Sequence, residues 1–166
     1  MKARMASGRE RASAIGALAA SWGDPIIVRG RDWRFEACLI LVAGPALGVA
    51  AVTFAEWPVA ELVAIEAFAH RRGIGSALMA GVIDACKGCR TLRLATTNDN
   101  LSAIRFYERR GFRLTAVRPG AVMGARAKAL DPSDRRKRHR DPRRDRPGAG
   151  AFRLNRRAAQ IGRAHV

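Results

Sequence analysis

Two stretches of the chain gather residue types that could do chemistry. The first is HRRGIGSAL at 70–78, where Gly73 and Gly75 stand between a run of branched residues and an apolar helical pattern. Backbone amides at such a junction lack partners inside the helix, and the helix dipole favours an anion there. Glycine lets the chain turn and lets a ligand approach the backbone, while Arg71 and Arg72 add positive charge. A phosphate seat is one reading, and an ordinary strand-to-helix turn is the other. A dinucleotide loop would want a third glycine and an acidic residue about 20 positions further on, and a P-loop would want Gly-Lys-Ser/Thr. Gly75 is followed by Ser76 and Ala77, so neither nucleotide pattern is met.

The second stretch is TTNDNLSAIRFYERRGF at 96–112, with Asn98, Asn100 and the only tyrosine of the chain, Tyr107. Asn100 directly precedes an apolar helical run and suits an N-cap. Tyr107 beside Phe106 reads, from its neighbours, as an amphipathic core side chain. Carboxylates gather upstream at Glu56, Glu61 and Glu66. In ELVAIEA at 61–67, strand alternation puts Glu61 on a face with Val63, Ile65 and Ala67, and Glu66 on a face with Leu62 and Ala64. At most one of the pair is then expected to face a given cavity. Cys86 and Cys89 form a CxxC with no second ligand pair, and His70, His139 and His165 lack metal-ligand spacing, so no metal is expected.

The elements that must position these residues follow from periodicity. Residues 12–22 read as a helix ended by Gly23, Asp24 and Pro25, and runs at 25–29, 35–42 and 47–54 read as a meander of three strands. Residues 61–67 form a fourth strand, and from Gly75 to Gly88 the apolar spacing becomes helical. A fifth strand at 91–97, a helix at 101–110 stopped by Gly111, and a sixth strand at 113–117 complete the pattern. The fold class is α/β, with the fourth and fifth strands paired in parallel through a crossover helix.

At 166 residues the chain suits one domain. Its 31 Lys/Arg against 14 Asp/Glu give a net charge of +17, which alone would indicate nucleic acid or an anionic membrane. The charge is uneven, however, since residues 126–166 hold 14 Lys/Arg against 4 Asp/Glu. No run approaches the roughly 20 apolar residues of a membrane span. The basic N-terminal stretch lacks a signal-peptide core, and three cysteines are too few for a disulfide framework. A soluble, cytoplasmic protein is expected.

HRRGIGSAL, taken with Asn100, Ala103, Phe106, Tyr107, Glu108, Gly111 and Phe112, resembles the Gcn5-related N-acetyltransferase (GNAT) family over residues 22–122. His70 departs from the Arg or Gln usual at its position. The resemblance implies a mixed, mainly antiparallel sheet flanked by helices, with the fourth and fifth strands parallel and splayed. It implies acetyl-CoA as cofactor, with pyrophosphate on the amides of Arg71, Arg72, Gly73, Ile74, Gly75, Ser76 and Ala77. The pantetheine arm would follow the fourth strand near Ile65 and Ala67, with Asn98 and Asn100 as further contacts. Tyr107 is the implied proton donor to the leaving thiolate, and Glu61 is the candidate base. The implied activity is acetyl transfer to an amine of a small molecule or protein, without specific nucleic acid or membrane. Competing readings are a nucleic-acid-binding arm in the Arg-rich tail and a non-catalytic coenzyme-binding relative.

Beyond residue 122 the resemblance stops, so 1–122 read as the acetyltransferase domain, truncated, and 123–166 as a disordered basic tail. A one-base shift of frame near Lys128 permits PSIPxIGENGI and then IRDEIDLEL, similar to the family's route into its last strand. IGRAHV at 161–166 resembles translated adapter DNA. On this reading the tail is out-of-frame translation and the final strand is missing, which leaves the fifth and sixth strands without the partner that the family inserts between them.

Overall fold

The computed structural model describes residues 1–45, 47–69, 72–118 and 149–155. In chain order they form β1 (Ala3–Met5), α1 (Gly8–Trp22), β2 (Ile26–Val28), β3 (Arg31–Trp33), a 3-10 turn (Phe35–Ala37), β4 (Leu39–Ala43) and β5 (Gly48–Glu56). There follow β6 (Val59–Ala67), α2 (Ile74–Ala85), β7 (Thr91–Thr97), α3 (Leu101–Glu108), β8 (Arg113–Arg118) and β9 (Ala149–Asn155). Seven strands share one sheet in the order β1-β4-β5-β6-β7-β9-β8, and β2 with β3 makes a separate hairpin. Neighbours in the sheet are antiparallel except β6 and β7, the parallel pair that the α2 crossover requires.

Each face of the sheet buries its own core. On one, α2 sets Ile74, Leu78, Met79 and Val82 against Ala50, Val52, Leu62 and Leu92, and Tyr107 and Phe112 join beside Leu94. Cys86 and Cys89 are buried in this same core, and all three cysteines are free. On the other face, Ala14, Ile15 and Leu18 of α1, with Ile26 and Val28 of the hairpin, cover Ile40, Val42, Val49, Ala51, Val63 and Ala64. Among the described residues no helix is long and apolar enough to cross a membrane.

The N-terminal half departs from the expected meander. The strand anticipated at 25–29 exists but folds back on β3, because Arg29 and Gly30, both at positive φ (55° and 79°), make a two-residue turn that suits a hairpin. The strand anticipated at 35–42 starts only at Leu39, since Phe35 is fully buried from within the 3-10 turn. β1 pairs with β4 and is too short for periodicity to reveal.

The expectation of a missing final strand is overturned. β9 inserts between β7 and β8 and pairs with both, placing Phe152 opposite Leu94 on one side and Leu114 on the other. Phe152 is fully buried and Leu154 nearly so, which makes AFRL an alternating, half-buried strand despite its basic surroundings. Composition failed here because a seven-residue strand is diluted by the arginines around it. The remainder of that segment, 119–148 and 156–166, carries the frame-shift reading, the end of the expected domain, His139 and His165, and it lies outside the described residues.

Phe152→Ala should therefore cost about 3–5 kcal/mol, the usual loss for a buried aromatic truncated in a core. Urea unfolding checks this. A midpoint unchanged from that of the parent chain would mean that β9 contributes nothing to the folded core.

Candidate cofactor and acceptor site

β6 and β7 pair at Val59↔Thr91, Ala60↔Leu92, Glu61↔Arg93 and Leu62↔Leu94. Beyond Leu62 the two strands part. β6 continues beside β5 alone and β7 continues beside β9, so the β7-facing edge of residues 63–67 has no strand partner among the described residues. The parting coincides with a bulge. Ala51 opposes Ala64 while Val52 opposes Leu62, which leaves Val63 as the extra residue.

One extra residue in a period-two pattern reverses every side chain after it. Val63 and Ala64 consequently both pack toward α1, while Ile65 and Ala67 pack on the α2 side. Glu66 lands on the α1 face, where its Oε2 accepts a 3.0 Å hydrogen bond from Trp22 Nε1. Glu61 occupies that face too, so the expected separation of the two carboxylates is corrected by the bulge.

The start of α2 lies at the open end of this gap. Gly73 caps the helix at φ 71°, a left-handed conformation that side chains resist. The first bond within the helix runs from the Ala77 amide to the Gly73 carbonyl at 2.9 Å, so the amides of Ile74, Gly75 and Ser76 have no carbonyl one turn back inside it. Arg72, Gly73 and Ser76 are exposed and Ile74 is buried, while His70 and Arg71 lie outside the described residues.

Two residues that the sequence did not single out shape this turn. Arg110 stacks its guanidinium 3.6 Å from the Phe106 ring centroid and donates to the Ser76 hydroxyl at 2.6 Å and the Phe106 carbonyl at 2.8 Å. It brings a positive charge from beyond α3 onto the first turn of α2. Burial, and then the neighbouring Arg109, lower its pKa. Gly48 is the second, for a Cβ there would stand 2.5 Å from Ile74 Cγ2 and 2.9 Å from the Glu66 carbonyl oxygen. Only glycine lets β5 pass so close beneath the helix start.

Tyr107 is buried on the α2 and α3 side, 5.4 Å from Phe106, 5.8 Å from Phe112 and 6.1 Å from Phe152 between ring centroids. Its hydroxyl makes no hydrogen bond among the described residues. Burial pushes the phenol up to about 12. Asn100 is the N-cap of α3, its Oδ1 accepting from the Ala103 amide at 3.2 Å and the Ser102 hydroxyl at 3.0 Å. Asn98 is exposed in the preceding turn.

Glu61, only 2% exposed, stands across the sheet from Tyr107. Its Oε2 accepts from Arg93 Nε at 3.0 Å and Nη2 at 2.8 Å, and that Nη2 also reaches Glu56 Oε2 at 2.6 Å. Glu56 in turn pairs with Arg31. Among the described residues Glu61 Oε1 is buried with no hydrogen-bond partner, Arg29 Nη1 lying 4.0 Å away. The phenol and the carboxylate occupy opposite faces, and the opening between β6 and β7 is where one bound group could meet both.

This fold and opening define an acetyltransferase architecture, and the comparisons agree. Residues 15–112 match the Acetyltransferase (GNAT) family. The chain belongs to that family. Over 68 residues it is 41% identical to the uncharacterized protein YdhI of Bacillus subtilis (strain 168), a match covering 40% of this chain and 42% of YdhI. The chain thus spans about two fifths of the length of that curated relative. A Bacillus subtilis acetyltransferase solved in complex with CoA superposes at a TM-score of 0.63 with 14% identity, covering 93% of this chain and 97% of that one. The ribosomal-protein-S18-alanine N-acetyltransferase of Escherichia coli gives 0.61 with 18% identity, covering 93% and 92%. At such identities the likeness is one of fold.

Because Tyr107 is the only tyrosine, phenolate absorbance reports it alone. In denaturant the phenol should ionise near pH 10, and in the folded protein at about 12. The fold favours the neutral phenol, so its contribution to stability is intact below about pH 10 and falls as the pH rises toward 12. Ionisation of the folded chain near pH 10 would place the hydroxyl in bulk water. Gly48→Ala should lower stability by about 1–3 kcal/mol through overpacking, measured by urea unfolding.

Proposed function

We propose that the chain transfers acetyl from acetyl-CoA to an amine of a small molecule or protein. The observation that carries this reading is the parting of β6 from β7 at the Val63 bulge, opening beside the first-turn amides of α2. The residues fit the coenzyme: an extended amide-bearing arm can add to the bare edge of β6 as a further strand would, near Ile65 and Ala67. Bound there, acetyl-CoA supplies a thioester open to attack by an amine.

The other steps belong to the residues of the chain. The amides before Ala77, with Arg71, Arg72 and Arg110, hold the pyrophosphate, while the Ala77 amide expected to join them is spent on the Gly73 carbonyl. Asn98 and Asn100 contact the coenzyme from the turn before α3, Asn100 while capping that helix. Tyr107 Oη donates to the departing sulfur. With the phenol at about 12 and thiols near 8.5, complete proton transfer runs uphill, so Tyr107 stabilises the developing thiolate by sharing its proton. Glu61 acts as base through Oε1, since Oε2 is committed to Arg93. Three free, buried cysteines fit a reducing cytoplasm.

Calorimetric titration of the full chain with acetyl-CoA should give saturable binding. No binding at millimolar coenzyme by a folded sample would remove the cofactor assignment. Tyr107→Phe should lower kcat about a hundredfold while leaving coenzyme affinity nearly unchanged, because only the hydrogen-bond donor to the sulfur is lost. Unchanged kcat would return Tyr107 to a packing role.

A further inference from the structure

On the α1 face, a cleft of about 310 Å³ is walled by Arg29, Arg31, Glu56, Glu61 and Arg93. A second cavity of about 170 Å³ shares Arg29 and Arg93 and reaches Arg153. Glu61 is one residue short of Leu62↔Leu94, the last pair before the strands part. A group hydrogen-bonded to its Oε1 therefore sits at the closed end of the opening.

Packing alone does not account for this cleft. A buried carboxylate oxygen without a donor is costly, and Glu61 Oε1 lies too far from Arg29 Nη1, at 4.0 Å, for a hydrogen bond. Charge is unbalanced along the same row of the sheet. Glu61 opposes Arg93, Arg93 opposes Arg153, and Arg153 opposes Arg113. Like charges facing each other on adjacent strands destabilise a sheet. Glu56 and Glu61 compensate Arg93, yet Arg153 and Arg113 have no acidic partner among the described residues. The hairpin turn also holds Arg29 at φ 55°, costly for a residue other than glycine, and delivers its side chain, 18% exposed, toward Glu61.

We propose that this cleft selects an acceptor amine that carries an anionic group, a carboxylate or a phosphate. Arg29 and Arg153 hold the anion beside Arg93, and the amine donates to Glu61 Oε1. A neutral amine held there forms the new C–N bond as the thioester C–S bond breaks. Its proton passes to Glu61 Oε1, and the thiolate leaves on the Tyr107 hydrogen bond. This inference rests on the acetyl-transfer reading and narrows its substrate class.

The test uses the full chain and two matched pairs of amines, glycine with glycinamide and O-phosphoethanolamine with ethanolamine, with acetyl-CoA-dependent thiol release as the readout. The anionic member of at least one pair should show kcat/KM about tenfold or more above its neutral partner, as one charge-assisted contact provides. The pair with the larger preference distinguishes carboxylate from phosphate. Arg29→Gln should raise KM for the anionic amine with kcat and acetyl-CoA affinity little changed, and Arg29→Lys should recover part of the loss. Arg153→Gln, an exposed change, serves if Arg29→Gln fails to fold. Equal or better turnover of the neutral amines, or an equal effect of Arg29→Gln on both members of a pair, overturns the proposal. Should the chain bind no acetyl-CoA or acetylate none of the four, calorimetry with glycine and O-phosphoethanolamine decides separately. Binding that inorganic phosphate displaces and Arg29→Gln abolishes upholds the anion site while the transfer reading falls. Absence of binding by both at millimolar concentration overturns it.

Discussion

A single extra residue, Val63, sets the geometry on which the rest of this protein depends. Because it has no partner on β5, the side-chain alternation of β6 reverses at that point, and the strand leaves β7 immediately after Leu62. Two consequences follow from one insertion. The backbone edge of residues 63–67 is bared toward a gap in the sheet, and Glu66 is brought to the face that already holds Glu61. A regular strand would have kept its ladder with β7 and sent the two carboxylates to opposite sides.

The closed end of the gap is held by charge as well as by hydrogen bonds. Arg93 grips Glu61 from the neighbouring strand at the second-last pair and reaches Glu56 as well, so the buried ion pair ties β6 to β7 next to the point where their ladder ends. Removing Arg93 would leave the buried Glu61 with Arg29 only at 4.0 Å, which is far more costly than the pair itself is stabilising. On its other side β7 is held by β9, whose Phe152 fills the space between Leu94, Leu114 and Tyr107. The gap opens between two well-anchored strands and is not a loose edge.

Much of this arrangement was legible in the sequence, and the exceptions have physical reasons. Gly73 and Gly75 marked the start of α2, Asn100 marked its own capping role, and the order of strands and helices required the parallel pair. The bulge was invisible because Val63 and Ala64 are both apolar, so ELVAIEA satisfies regular alternation equally well. Arg110 and Gly48 matter through contacts with elements far away in sequence, Ser76 and Phe106 for one and Ile74 for the other. β9 was hidden by the arginines flanking a short alternating run, and the hairpin by an Arg-Gly turn between strands of three residues each.

The two sides of the opening are solvents of different kind, and this division would give the proposed transfer its chemical direction. On the α2 and α3 side Tyr107 sits among phenylalanine rings, where burial favours the neutral phenol and its hydroxyl has no partner among the described residues. On the α1 side three guanidinium groups and two carboxylates line a polar cleft, in which Glu56 and Glu61 both pair with Arg93. A reaction that creates negative charge on a leaving group while removing a proton from an attacking one is helped by such asymmetry. In the proposed transfer the uncharged donor would face the leaving group, and the carboxylate would face the nucleophile. The sheet itself keeps them apart. Were Tyr107 and Glu61 on one face without that barrier, the carboxylate would be the nearest acceptor for the phenol, and each would satisfy the other instead of a substrate.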